Sequence, residues 1–83
     1  MKMLSKKEVL TPRQRQINSL KEEMRHCEML IRRTQRLFEM ATDENLIEAR
    51  IYELKSLTKH HDYLIAAIRD LVGEENNRRT LTV

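Results

Sequence analysis

The side chains best suited to chemistry in this 83-residue chain are an adjacent pair, His26-Cys27, and a later run, His60-His61-Asp62. Imidazole nitrogen and thiolate sulfur are the donors zinc favours, and zinc takes four of them in a tetrahedron. Cys27, His61, His26 and His60 are therefore the metal-ligand candidates. Successive residues on a helix point about 100° apart, so His60 and His61 do not turn easily toward one ion. The chain has no Cys-x-x-Cys and no His-x-x-x-His. The spacing predicts no metal site and no cofactor.

Other reactive arrangements fare no better. A nucleophilic cysteine needs partly exposed, electropositive surroundings, whereas the apolar spacing around Cys27 puts it on a buried seam. The paired acids Glu22-Glu23 and Glu74-Glu75 lie in charged stretches without an apolar pocket to make either an acid catalyst. One glycine cannot build a phosphate-cradling loop. No enzyme is expected.

Two groups suit binding instead. Arg25, Arg32, Arg33 and Arg36 fall outside the apolar stripe of their segment, behind Lys2, Lys6 and Lys7, and could track nucleic-acid phosphates. With two tyrosines, one phenylalanine and no tryptophan there is no platform on which bases could stack. Tyr52 and Tyr63 lie off the narrow seam and are partner-binding candidates, since tyrosine often anchors interfaces.

The elements that would position these residues are helices. One glycine, one proline and a charged fraction of 35% fit long helices and leave few residues for turns. Thr11-Pro12-Arg13-Gln14 is a helix start: a cap, a proline at the first helical position, and a capping-box glutamine. An apolar spacing of three and four follows: Ile17, Leu20, Met24, Cys27, Ile31, Thr34, Phe38 and Ala41. It breaks at Ala41-Thr42-Asp43-Glu44-Asn45, where Thr42 or Asp43 can cap a second helix. A second seam then reads Ile47, Ile51, Leu54, Thr58, His61, Ile65, Ile68 and Val72, and Gly73 is placed to end it. The expected organisation is a flexible basic lead-in over 1–10, a helical hairpin over 11–73 with helices about 12–41 and 43–72, and a mobile tail over 74–83.

If the chain reverses at Ala41–Asp43, facing residues have numbers that sum to about 85, and seam meets seam throughout: Ile31 with Leu54, Cys27 with Thr58, Met24 with His61. The rival is one continuous helix of ~60 residues, about 90 Å long, pairing with a second chain. Within the hairpin, Cys27, Thr34, Thr58 and His61 form a polar layer that sets register. Protonating a buried His61 below about pH 6 would charge that layer and loosen it.

Charge is uneven. Residues 1–36 hold ten Lys/Arg against four Glu, and residues 37–83 hold six against nine acids, so opposite charges would flank one antiparallel seam. Leu30, Leu37, Leu57, Leu64 and Leu71 widen both stripes beyond what a lone helix pair covers. Half-burying five leucines at ~25 cal/mol per Å² is worth several kcal/mol, so these are the self-association candidates. The fold expected is all-α: an antiparallel, coiled-coil-like two-helix hairpin, completed as a four-helix bundle by dimerisation.

The stretch from Thr42 to Asp70 resembles the YaaL-like family of small bacterial proteins. The likeness lies in Leu46-Ile47-Glu48-Ala49, Ile51-Tyr52-Glu53-Leu54-Lys55, and Tyr63-Leu64-Ile65 followed by Arg69. Where that family tends to carry Arg-Tyr or Lys-Tyr, this chain has His60-His61. The resemblance covers about a third of the chain and implies a short helical fold in a cytoplasmic bacterial protein, with no activity and no site residues. Leu10 to Ile17 is also similar to the opening of a LuxR-type helix-turn-helix, but an unbroken helical pattern follows where a tight turn is needed. A helical hairpin is likewise found in sporulation aspartyl-phosphate phosphatases, whose serine and aspartate are absent from Ile51-Tyr52-Glu53-Leu54-Lys55.

No apolar run reaches the length of a membrane span, the first ten residues lack a signal peptide's apolar centre, and one cysteine cannot form an internal disulfide. A soluble, cytoplasmic protein without a membrane partner is expected. The expected function is protein binding as a small adaptor or regulator, with itself and another protein as partners. The alternatives are a DNA- or RNA-binding protein acting through the first helix, and a small inhibitor of a larger enzyme.

Overall fold

The chain folds as an all-α helical hairpin, seen in a computed structural model that describes residues 10–82, and side chains as far as Glu74. Most of the basic lead-in, with Lys2, Lys6 and Lys7, lies outside the described residues. Helix α1 spans Pro12–Met40 and helix α2 spans Glu44–Thr82. The reversal takes three residues, Ala41 to Asp43, and excludes the continuous helix.

Each boundary has a local cause. At the start of α1 the Thr11 side-chain oxygen accepts from the Gln14 N–H at 3.0 Å, and the Gln14 side-chain oxygen accepts from the Thr11 N–H at 3.0 Å. Two otherwise unpaired donors are satisfied reciprocally, and Pro12 supplies none. The helix stops where Ala41 turns extended at φ −75°, ψ 134°, its N–H donating to the Phe38 carbonyl. The cap of α2 is Asp43, whose carboxylate accepts from the Asn45 and Leu46 N–H groups at 2.8 and 3.1 Å. A carboxylate suits this position because it faces the positive end of the helix dipole.

Helix α2 does not stop at Gly73. No glycine in the described chain has a positive φ, and the helix continues to Thr82. The expected cap at Gly73, and with it the helix end near residue 72, is therefore corrected. Gly73 costs about 1 kcal/mol inside a helix. On one side of it Leu71 is half-buried, and on the other Glu74 meets Arg13 across the hairpin at 3.2 Å.

The antiparallel register agrees with expectation. Cys27 meets Leu57, His60 meets Glu23, His61 meets Glu28 and Arg13 meets Glu74, so partner numbers sum to between 83 and 89. The rotation of α2 differs from expectation by one heptad position. The inward row runs Ile47, Arg50, Leu54, Leu57, His61, Leu64, Ile68, Leu71, each buried or half-buried, while Ile51, Thr58 and Val72 are exposed. Two neighbouring rows of α2 compete for the seam. One offers Leu57, Leu64 and Leu71; the other, Ile51, Thr58, Ile65 and Val72, is β-branched throughout. Leucine reaches further into the space between helices, and the leucine row wins it.

That rotation corrects part of the self-association reading. Leu64 has 0% of its surface exposed and is the centre of the hairpin's own core, so it is not spare surface. Leu57 and Leu71 share its row and are half-buried there, as Leu30 and Leu37 are on α1. Among the described residues the core is thin: Ile17, Cys27 and Leu64, with Thr34 as the one buried polar residue. The molecule measures 59 × 34 × 14 Å, and 14 Å is the thickness of a single layer of helices.

Candidate functional site

The chemistry-bearing residues gather midway along the seam but do not converge. Cys27 is 2% exposed, and its thiol donates to the Leu57 carbonyl oxygen at 3.3 Å. Burial pushes the thiol's pKa up, and the nearby carboxylates of Glu28 and Glu23 push it the same way. It stays protonated and is a poor nucleophile. The two histidines diverge. His60 Nε2 lies 3.1 Å from Glu23 Oε2 on one side of the seam, and His61 Nε2 lies 3.0 Å from Glu28 Oε2 on the other. A carboxylate only accepts, so each Nε2 carries the hydrogen. His26 is exposed. Among the described residues no three His, Cys, Asp or Glu side chains are grouped to hold a metal ion.

Two expectations about this layer change. Thr58 is exposed, so the buried polar groups are Cys27 and Thr34, with His61 half-buried. His61, expected to be buried, is half-buried, and Glu28 Oε2 stands 3.0 Å from its Nε2. The sense of the cross-helix charges is mixed. Arg13–Glu74 sets base on α1 and acid on α2 as the halves' charges suggest, but both His–Glu pairs run the other way.

What the hairpin does present is two grooves, one on each side of the seam. The turn-end groove, of about 470 Å³, has Leu30, Leu37 and Leu57 in its walls, with the buried Thr34 between them. Its charged residues are of both signs: Arg33, Arg50 and Glu53. Arg50 was missed as a seam residue. Its Nη1 pairs with Glu53 Oε1 at 2.7 Å, and its Nε is buried without a hydrogen-bond partner. The signal available was its heptad spacing from Leu57, Leu64 and Leu71; a charged residue type hid it.

The open-end groove, of about 380 Å³, lies on the opposite side. Met24, Ile65, Ile68 and Val72 form its apolar surface, and Lys21, Arg25 and Arg69 are its charged residues, all cationic. Val72 is 38% exposed, and Phe38 and Ile51, each 37% exposed, extend the same apolar edge toward the turn.

The four arginines proposed for nucleic acid are all exposed but do not form one row. Arg33 lines the turn-end groove and Arg25 the open-end groove, about 80° apart around α1. Arg25 is also paired with Glu22 at 2.7 Å. Tyr52 and Tyr63 are 67% and 63% exposed on α2, about 16 Å apart along it. The Tyr63 ring stacks on His60, with centroids 6.3 Å apart. Among the described residues no helix is long and apolar enough to cross a membrane. No family model, no curated protein and no solved structure matches this chain.

Proposed function

We propose that this protein is a non-enzymatic interaction module that acts through its helical surface, and that its first partner is a second copy of itself. The observation that carries the reading is a single layer of helices with apolar grooves open on both sides and, among the described residues, a core of four. A hairpin so thin gains stability by stacking on another layer, as helix pairs do in four-helix bundles.

The turn-end groove is the surface suited to self-pairing. A two-fold axis sets a patch against its own copy, so a self-complementary patch must carry both charge signs around its apolar part. Leu30, Leu37 and Leu57, flanked by Arg33, Arg50 and Glu53, meet that requirement. Leu46, at 42% exposed, extends the patch toward the turn. Sedimentation velocity on the full chain tests this. A dimer at micromolar concentration that becomes a monomer in Leu37→Glu is the expected result, and a wild-type monomer across the accessible concentration range overturns it.

A further inference from the structure

We propose that the open-end groove is a docking site for an acidic amphipathic helix of another protein. The inference rests on reading the hairpin as an interaction module, and it gives that module a second, chemically distinct partner.

Two antiparallel helices leave a trough between them that a third helix fills by setting one row of side chains along it. Here the trough is lined by Met24, Ile65, Ile68 and Val72, apolar side chains from both helices. Met24 contributes an unbranched thioether that adapts to an incoming side chain. The charged residues around it are Lys21, Arg25 and Arg69, with no carboxylate among the lining residues. An incoming helix with an apolar stripe and glutamates or aspartates beside it finds both halves of its surface matched. A helix flanked by lysines meets like charge in Lys21, Arg69 and Arg25, the last of them already paired with Glu22 at 2.7 Å.

The same cations exclude a second copy. A two-fold pairing of this groove would press Lys21, Arg25 and Arg69 toward their own duplicates. They also separate this groove from the one near the turn, where both signs occur. An anionic bilayer fits less well. A membrane-lying face needs a broad cationic margin, whereas this side of the hairpin also carries the Glu28 carboxylate beside His61.

The test uses the full chain and three probes: a synthetic amphipathic helix with leucines at i, i+3, i+4 and i+7 flanked by glutamates, its lysine-flanked twin, and phosphatidylglycerol vesicles. Fluorescence anisotropy or co-sedimentation reads binding, and sedimentation velocity on the same samples reads self-association. The glutamate helix is expected to bind in a salt-sensitive manner and the lysine twin is not. Arg69→Glu, at an exposed position, is expected to weaken binding by about tenfold. Val72→Asp, also exposed, is expected to abolish it, with helicity by circular dichroism unchanged in both variants. Equal binding of the twins, indifference to Arg69→Glu, or preference for the vesicles overturns the inference. Conversion of a dimer to a monomer by Val72→Asp overturns it too, since a second copy then occupies the groove, and leaves self-association standing. A monomer that binds the glutamate helix sinks self-pairing alone.

Discussion

The two grooves flank the same seam, are of similar size, and draw on the same two helices, yet their chemistry differs. The turn-end groove mixes leucines with Arg33, Arg50, Glu53 and the buried Thr34. The open-end groove sets an almost wholly apolar lining inside three cations. The difference follows from which heptad rows face each side. On α2 the leucine row turns inward and is shared with the turn-end side, while the β-branched row, Ile51, Thr58, Ile65 and Val72, is left along the other edge. A patch holding both signs can pair with itself, and a patch holding one sign needs a partner of the other. On the proposed reading one small hairpin holds two partners without their competing, because its two sides differ in charge sign more than in greasiness.

The largest perturbation should erase both grooves together. Leu64 is fully buried and lies under the whole arrangement. Truncating it to alanine removes a buried isobutyl group and leaves a cavity, a change that costs about 3 kcal/mol. In a molecule with so little core this is a large share of the stability a small domain holds. Leu64→Ala is expected to lose its helical circular dichroism at temperatures where the native chain keeps it. A variant that stays folded and still binds on one side only would mean that the grooves are built independently, and the comparison would fail at its base.

Next in size is a change confined to the turn-end side. The Arg50 Nε is buried without an acceptor, and a buried, unsatisfied donor costs on the order of 1–3 kcal/mol. Replacing Arg50 by methionine keeps the length and removes the donor. Arg50→Met should raise the urea midpoint while weakening self-association, since the two-fold patch loses a cation and leaves Glu53 without its 2.7 Å partner. Binding of the glutamate helix on the other side should not move. A shift in both binding readouts would show that the two sides are coupled.

How far these features could be read beforehand depends on whether their cause is local. Thr11, Pro12 and Gln14 form a capping box within four residues, and Asp43 caps α2 through N–H groups two and three residues on. Such causes are visible in a short stretch of chain. The register was accessible as well, because two seams of equal period meeting at a three-residue turn can pair in only one way. The rotation of α2 was not, since the leucine row and the β-branched row lie about 100° apart, on either side of the shared row Ile47, Leu54, His61 and Ile68, each with one polar member, Arg50 or Thr58. Only packing against α1 decides between them. Gly73 misled for a related reason: whether a glycine ends a helix depends on the neighbours that hold it, here Leu71 and the Arg13–Glu74 pair. The grooves themselves depend on that rotation and were not visible as grooves at all.

A smaller effect tests the turn between the two helices, where Asp43 caps α2. Asp43→Ala removes the carboxylate that accepts from Asn45 and Leu46, a loss of about 1 kcal/mol. Asp43→Asn keeps an acceptor and should recover most of it. Both grooves are expected to weaken together in Asp43→Ala, in proportion to the fall in thermal midpoint. An unchanged midpoint in Asp43→Ala would mean that the turn is held by seam packing and not by its cap.

The smallest expected effect concerns Cys27, midway between the two sides. Its buried thiol has a pKa raised above the unfolded value, through burial first and the Glu28 and Glu23 carboxylates second. The folded chain therefore keeps this proton to higher pH than the unfolded chain does. Below the unfolded thiol's value of about 8.5 both forms are protonated and the residue contributes nothing to pH dependence. Above it the unfolded chain ionises first, so stability declines as pH climbs from there toward the folded value. Cys27→Ser keeps a donor for the Leu57 carbonyl but does not ionise in this range, so its urea midpoint should lack that part of the alkaline decline. Parallel alkaline slopes in the two proteins would show that the thiol titrates as freely in the fold as outside it. The seam between the grooves would then be open to water where the packing of Cys27 has it closed.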